Sequence, residues 1–250
     1  MTLPYSMLEE LVRACSSLGR WSNANQGVLA IFILLLTLVI GWTSGIFTAL
    51  RRKPKFRITL LPGPTFCCTF LMGKKHVVGD LEYDVHRTAV ALYLHITNIG
   101  SASSSIANIA IAYHWNLVPF SWLWLKNTIG WFWLHHQAII LTDFHVLIGQ
   151  QAKGYPFLVQ RSMITGSSAE TFLESGRSTN GVVYFEQTES YGGCYPKANN
   201  GKVRIKIRLT DAFGKHHTRR FTIDAVPLDE ARKYNPAFGS TFSELHQEKE

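Results

Sequence analysis

The sequence predicts a mainly β protein in which one N-terminal transmembrane α-helix precedes an antiparallel β-sandwich. Three observations carry this. Gly27 to Leu50 (GVLAIFILLLTLVIGWTSGIFTAL) is an uncharged apolar run, about 36 Å long as a helix and sufficient for a ~30 Å hydrocarbon layer. Beyond it the apolar residues alternate with a period of two, as in half-buried strands. Turn signals recur between these runs, and amphipathic helices are nearly absent, a pattern that favours sandwiches.

The span is predicted over 27–50 and oriented by its flanks. Met1 to Gln26 holds Arg13 and Arg20, balanced by Glu9 and Glu10, whereas Arg51, Arg52, Lys53, Lys55 and Arg57 crowd the C-terminal side. The excess of basic residues places that side in the cytoplasm of an inner membrane and exports the N-terminus. A cleaved signal peptide fits worse, because its apolar core runs to roughly 15 residues at most and its basic stretch comes first. Residues 1–26 form a short exported segment, with Met7, Leu8, Leu11, Val12, Cys15 and Leu18 at helical spacing between Pro4 and Trp21. Gly41 and Gly45 make a small-xxx-small pair, which would let two helices approach closely as a homo-oligomer; the competing reading is the ordinary frequency of glycine in membrane helices.

Residues 51–226 are read as one domain, and 227–250 as a polar C-terminal tail with a short helix at Leu228–Tyr234. Strands are expected at Phe56–Leu60, Thr65–Met72, Val90–Thr97, Ser104–Trp115, Gln137–Ile148, Tyr155–Arg161, Val182–Gln187, Val203–Leu209 and His216–Asp224. Pro62-Gly63-Pro64 is taken as a reversal. On that parity the fourth strand returns to the membrane side and delivers the following loop there. Cys67 and Cys68 are adjacent in a strand and face opposite ways. With Cys15 and Cys194 they read as free thiols of a reducing compartment.

Several of these stretches resemble known proteins. LYLHITNIGSASSSIANIAI, NGVVYFE and the closing hairpin RIKIRLTDAFGKHHTRRF are similar to those of bacterial single-span membrane proteins that carry an immunoglobulin-like β-sandwich and have no assigned activity. The resemblance covers residues 55 to 225 and implies an immunoglobulin-like fold without a reaction. The Cys-Trp-Cys arrangement of antibody domains is missing.

Two surfaces are candidates for function. The insertion 115–136, WNLVPFSWLWLKNTIGWFWLHH, holds five of the seven tryptophans. Trp115, Trp122, Trp124, Trp131 and Trp133 are expected at a membrane interface, where amphipathic aromatic rings settle. A protein-binding surface and a purely internal cover for the sandwich core are the competing readings. The basic stripe Arg204, Lys206 and Arg208, with Arg219 and Arg220 across the hairpin, is either a solvated sheet face or a phosphate-binding one. The formal charge of +8 and a pI near 9.4 favour an anionic neighbour, and the anionic inner leaflet of the lipid bilayer is the nearest. Nucleic acid is disfavoured, because few stacking aromatics interleave with these charges.

No HExxH, GxSxG, P-loop or GxGxxG occurs, so no catalytic residue, metal or cofactor is predicted. Asp143 with His145, and Cys194 after Gly192-Gly193, read as core and loop residues. The expected function is a non-enzymatic interaction or regulatory subunit with a protein partner at the cytoplasmic face. The alternatives are a membrane-perturbing effector of a bacterial defence or toxin system that oligomerises through its span, and a membrane-tethered hydrolase.

Overall fold

The computed structural model describes residues 13, 16–17, 21, 23–45, 52–138, 143–148, 151–159 and 169–240. They belong to two units, 1–52 and 53–250.

In the first unit, helix α1 (Gln26–Thr43) has a mean hydropathy of 2.2 and no buried residue. It is long and apolar enough to cross a membrane. Its hydroxyls stay within the helix: Thr37 donates to the Ile33 carbonyl at 2.7 Å and Thr43 to that of Val39 at 3.0 Å, as an apolar solvent requires. The helix ends earlier than Leu50. Gly45 adopts φ +75° and its N–H bonds the Trp42 carbonyl, a left-handed stop that glycine permits. Gly45 is thus the terminator, and Gly41 and Gly45 do not share one helical face. Of the segment Pro4–Trp21, only Arg13, Ser16, Ser17 and Trp21 are described, all helical. Cys15, Thr48, Arg51 and His246–Glu250 lie outside the described residues.

The second unit is built on one large mixed sheet. Its strands are β1 (Phe56–Leu60), β2 (Phe66–Val78), β3 (Leu81–Asn98), β4 (Ser104–Tyr113), β5 (Phe132–Leu134), β8 (Phe172–Leu173), β9 (Ser178–Tyr191), β10 (Ala198–Asn199), β11 (Lys202–Asp211) and β12 (His216–Ala225). A separate hairpin joins β6 (Phe144–Ile148) to β7 (Gln151–Tyr155), and the helices are α2 (Trp122–Ile129) and α3 (Leu228–Arg232). The strand expected from Tyr155 onward instead ends at Tyr155. Long antiparallel pairings link β9 to β3, β3 to β1 and β2, and β12 through β11 and β4 to β5. A two-residue parallel contact, Asp224 with Phe66 and Ala225 with Cys67, joins the halves and makes the sheet mixed.

Inward residues of both halves meet in one core: Leu92, Leu94 and Ile96 of β3 and Phe185 of β9 with Ile109 and Ile111 of β4 and Ile205 and Ile207 of β11. The other face of β3 is also covered. Ala89 and Ala91 leave room for Phe144, Phe157, Tyr184 and Phe238, which form a second cluster with Cys68, while Cys67 lies in the first. Burial pushes the Cys67 thiol up to about 12 and the Cys68 thiol to about 11. Residues 228–238 therefore pack on the domain and are no free polar tail. Arg87, 4 % exposed, fastens them by donating to the Gly239 carbonyl at 2.6 Å, and its guanidinium lies 3.4 Å from the Glu186 carboxylate.

Pro62-Gly63-Pro64 is a bend and not a reversal. β1 and β2 both run antiparallel to β3, along one edge of it, with Leu61 N–H bonded to the Tyr93 carbonyl within the bend. Parity therefore flips. The end of the domain where Lys53 enters carries the Asn98–Ser101 turn and the start of β4; β4 then runs ten residues away, about 30 Å. The aromatic segment leaves the sheet at the opposite end.

Candidate interaction surface

The aromatic segment divides into a projecting part and a shelf. Ser121 N–H reaches the Val118 carbonyl at 3.3 Å across Pro119 and Phe120, and the Ser121 hydroxyl caps α2 by accepting from Trp124 N–H at 3.1 Å. Both are local chemistry: proline suits the second position of such a turn, and serine is a preferred N-cap. Phe120 is the exception. It holds φ +64°, a region that non-glycine residues enter at a cost of order 1 kcal/mol or more, and it is 85 % exposed. Val118, Trp122, Leu123 and Leu125 are exposed beside it, Trp122 at 79 %. Within the segment the Phe120 ring meets Trp124, 5.3 Å away between centres.

The shelf follows from strand alternation. In β5, Phe132 and Leu134 turn inward to the core, while Trp133 turns out. Trp115 packs on Phe132 at 4.4 Å between ring centres. On the outer face, Arg208 lies 4.1 Å over Trp133, Lys206 5.5 Å over Trp131 and 5.7 Å over Trp133, and Arg220 5.8 Å over Trp131. These cation–π contacts reach across β4 because Ala110 and Ala112 stand between them. His114 lies 4.1 Å from Trp131. Register separates the two hairpin arginines: Arg220 faces Lys206 and joins the stripe, whereas Arg219 faces Ile207 and belongs to the opposite face. The shelf borders a cleft of about 650 Å³ lined by His114, Trp131, Arg204, Arg220 and Thr222 among others. A smaller one of about 250 Å³ shares His114 and Arg204 and reaches Trp124 and Lys197.

The five tryptophans thus have three settings: Trp122 projects, Trp131 and Trp133 hold the cations, and Trp115 and Trp124 are half-buried. Phe120, His114 and Thr222 carried no sequence signal, since positive φ and cross-strand position are tertiary facts. Of the basic cluster after α1, Arg52, Lys53, Lys55 and Arg57 are exposed around the entry to β1.

Other candidates have local roles. His145 Nδ1 lies 3.1 Å from the Asp143 carbonyl. His135 bonds Arg208 and His216 bonds Thr210. Cys194 is half-buried, which raises its thiol. His217, on the face opposite His216, is buried and bonds Asp211 at 3.0 Å. Burial disfavours the Asp211 charge, but hydrogen bonds from His217 and from the Lys215 and Phe213 N–H groups outweigh it and hold the carboxyl below its usual value. Among the described residues no group of three His, Cys, Asp or Glu side chains is placed to hold a metal ion.

No family model matches this chain, and no curated protein matches it. Among solved structures it is similar to the X-ray structure of Northeast Structural Genomics Consortium target SoR45, at 8 % identity over 68 % of this chain and 86 % of that one, with a TM-score of 0.21. At that score no fold or role is carried over.

Proposed function

We propose that this protein is a non-enzymatic, single-pass inner-membrane protein whose cytoplasmic domain, an immunoglobulin-like sandwich, serves as an interaction or regulatory subunit and docks a protein partner through the Val118–Leu125 surface. The observation that carries the reading is Phe120, strained at φ +64° and 85 % exposed. Exposed apolar surface of this kind marks interaction sites, and backbone strain concentrates where function requires it. Helix α1 supports an anchor, the basic residues after it support the orientation, and the two inward faces sharing one core support the sandwich. The larger cleft is polar, which is the feature that would favour a hydrolase. Its lining offers cations, an imidazole and a hydroxyl but no carboxylate, and this set suits binding better than hydrolysis.

A second reading, a membrane-perturbing effector, draws on the exposure of Trp122, because the same apolar side chains suit a headgroup layer. One experiment separates the two. Full-length wild type and a Phe120→Gly, Trp122→Ser variant are expressed in the source cell and compared by native electrophoresis of solubilised membranes, alongside vesicle leakage with purified protein. The docking reading expects a hetero-complex that the variant loses, without leakage. Leakage from wild type alone, with no complex, would establish the effector instead.

A further inference from the structure

We propose that the cleft over β11 and β12 beside Trp131 is a phosphate-binding site, with the ligand's phosphate group clamped between Arg204 and Arg220. This is separate from protein docking at Phe120 and stands without it. Three observations lead to it.

Register puts Lys206 directly opposite Arg220 and Arg204 opposite Thr222 on antiparallel strands. Like charges facing each other across a ladder destabilise it. Among the described residues no carboxylate lies within ion-pairing distance of Arg204, Lys206, Arg208 or Arg220 to relieve them. An anion in the cleft would.

The cations are also positioned. Trp131 lies under Lys206 and Arg220, and Trp133 under Lys206 and Arg208, so of the two clamping arginines Arg220 loses less side-chain freedom on binding. Arg204 and Arg220 are diagonal neighbours, roughly 7–8 Å apart or somewhat less at Cβ, close enough for both guanidinium groups to reach one phosphate. Each guanidinium fork can engage two of its oxygens, and the Thr222 hydroxyl lies at the same rim.

Finally, Arg204 and Arg220, with His114, Trp131 and Thr222, line a half-open concavity of about 650 Å³. A flat solvated stripe would offer no such enclosure. The phosphate chemistry is shared by a soluble phosphoester and an anionic lipid headgroup.

The test uses the full chain in nanodiscs of phosphatidylcholine with two probes, soluble pyrophosphate and separate vesicles containing phosphatidylglycerol. Arg204→Gln and Arg220→Gln should each weaken binding tenfold or more. Arg57→Gln, the same charge change far from the cleft, should leave it nearly unaltered. Arg204→Lys should recover only part of the affinity, because an ammonium lacks the fork. Thermal unfolding of each variant confirms folding. Binding of pyrophosphate alone identifies a soluble ligand, and binding of the vesicles alone a headgroup. Binding of neither overturns the proposal. So does an equal loss in Arg57→Gln, or full affinity in Arg204→Lys.

Discussion

Single side chains decide how the Lys53 end of the domain is closed. Buried Asn98 accepts from the Gly100 and Lys55 N–H groups and donates to the Ala102 and Leu173 carbonyls. Close by, His217 Nδ1 faces Phe56 N–H at 3.4 Å, so the imidazole carries its proton on Nε2 and donates it to Asp211. Because folding lowers the Asp211 carboxyl, the stability it contributes is present above the unfolded value of about 3.9 and is lost as pH falls through the lower folded value. In Asp211→Asn the single amide oxygen serves one side only: its NH2 faces either the His217 N–H, unless that imidazole takes the tautomer that abandons Phe56, or the Phe213 and Lys215 N–H groups. We expect a loss of about 1–3 kcal/mol at pH 7. The gap from wild type should narrow in acid below pH ~4, as measured by denaturant unfolding from pH 2 to 7.

At the scale of the element, glycines set how closely segments approach the aromatic end. A Cβ on Gly193 would stand 2.1 Å from the Asn116 carbonyl oxygen, a backbone atom that cannot rotate away. Asn116 N–H bonds the Tyr195 carbonyl there, and Trp115 bridges to Pro196. Gly193→Ala should therefore displace the start of the aromatic segment, cost at least about 2 kcal/mol and raise the amide exchange of residues 115–124. Gly201→Ala, whose Cβ meets no atom within 4 Å, should strain its own turn and leave those amides protected. Packing against Asn116 is thus sufficient reason for a glycine immediately before Cys194.

For the whole molecule, the apolar helix and the domain are separate units, and their membrane topology is open to direct measurement. Fusing a green fluorescent protein or alkaline phosphatase to the C-terminus should give fluorescence without phosphatase activity. The reverse result would move the domain to the periplasm and the search for partners with it. The flipped parity matters at this scale. Within the domain the aromatic end lies about 30 Å from Lys53, so the exposed Phe120 and Trp122 stand far from where the chain enters the domain.

Local chemistry made much of this protein legible. An uncharged run, a period of two and Asp211-Ala212-Phe213-Gly214 as a hairpin turn depend only on near neighbours in the chain, and the helix, most strands and the β11–β12 pairing follow from them. The second core layer was not legible, because Ala89 and Ala91 are small on their own account and are filled by Phe144, Phe157 and Phe238 from distant segments. The bend at Pro62-Gly63-Pro64 shows the same limit: proline and glycine permit both a turn and a kink, and the edge of β3 offered to β1 and β2 selected the kink. Charge alternation in β11 gave the stripe, but only the cross-strand register separated Arg219 from Arg220, and only the return of β5 laid Trp131 and Trp133 against it. Periodicity encodes which face a residue takes, whereas the partner across that face is settled by packing between residues far apart in sequence.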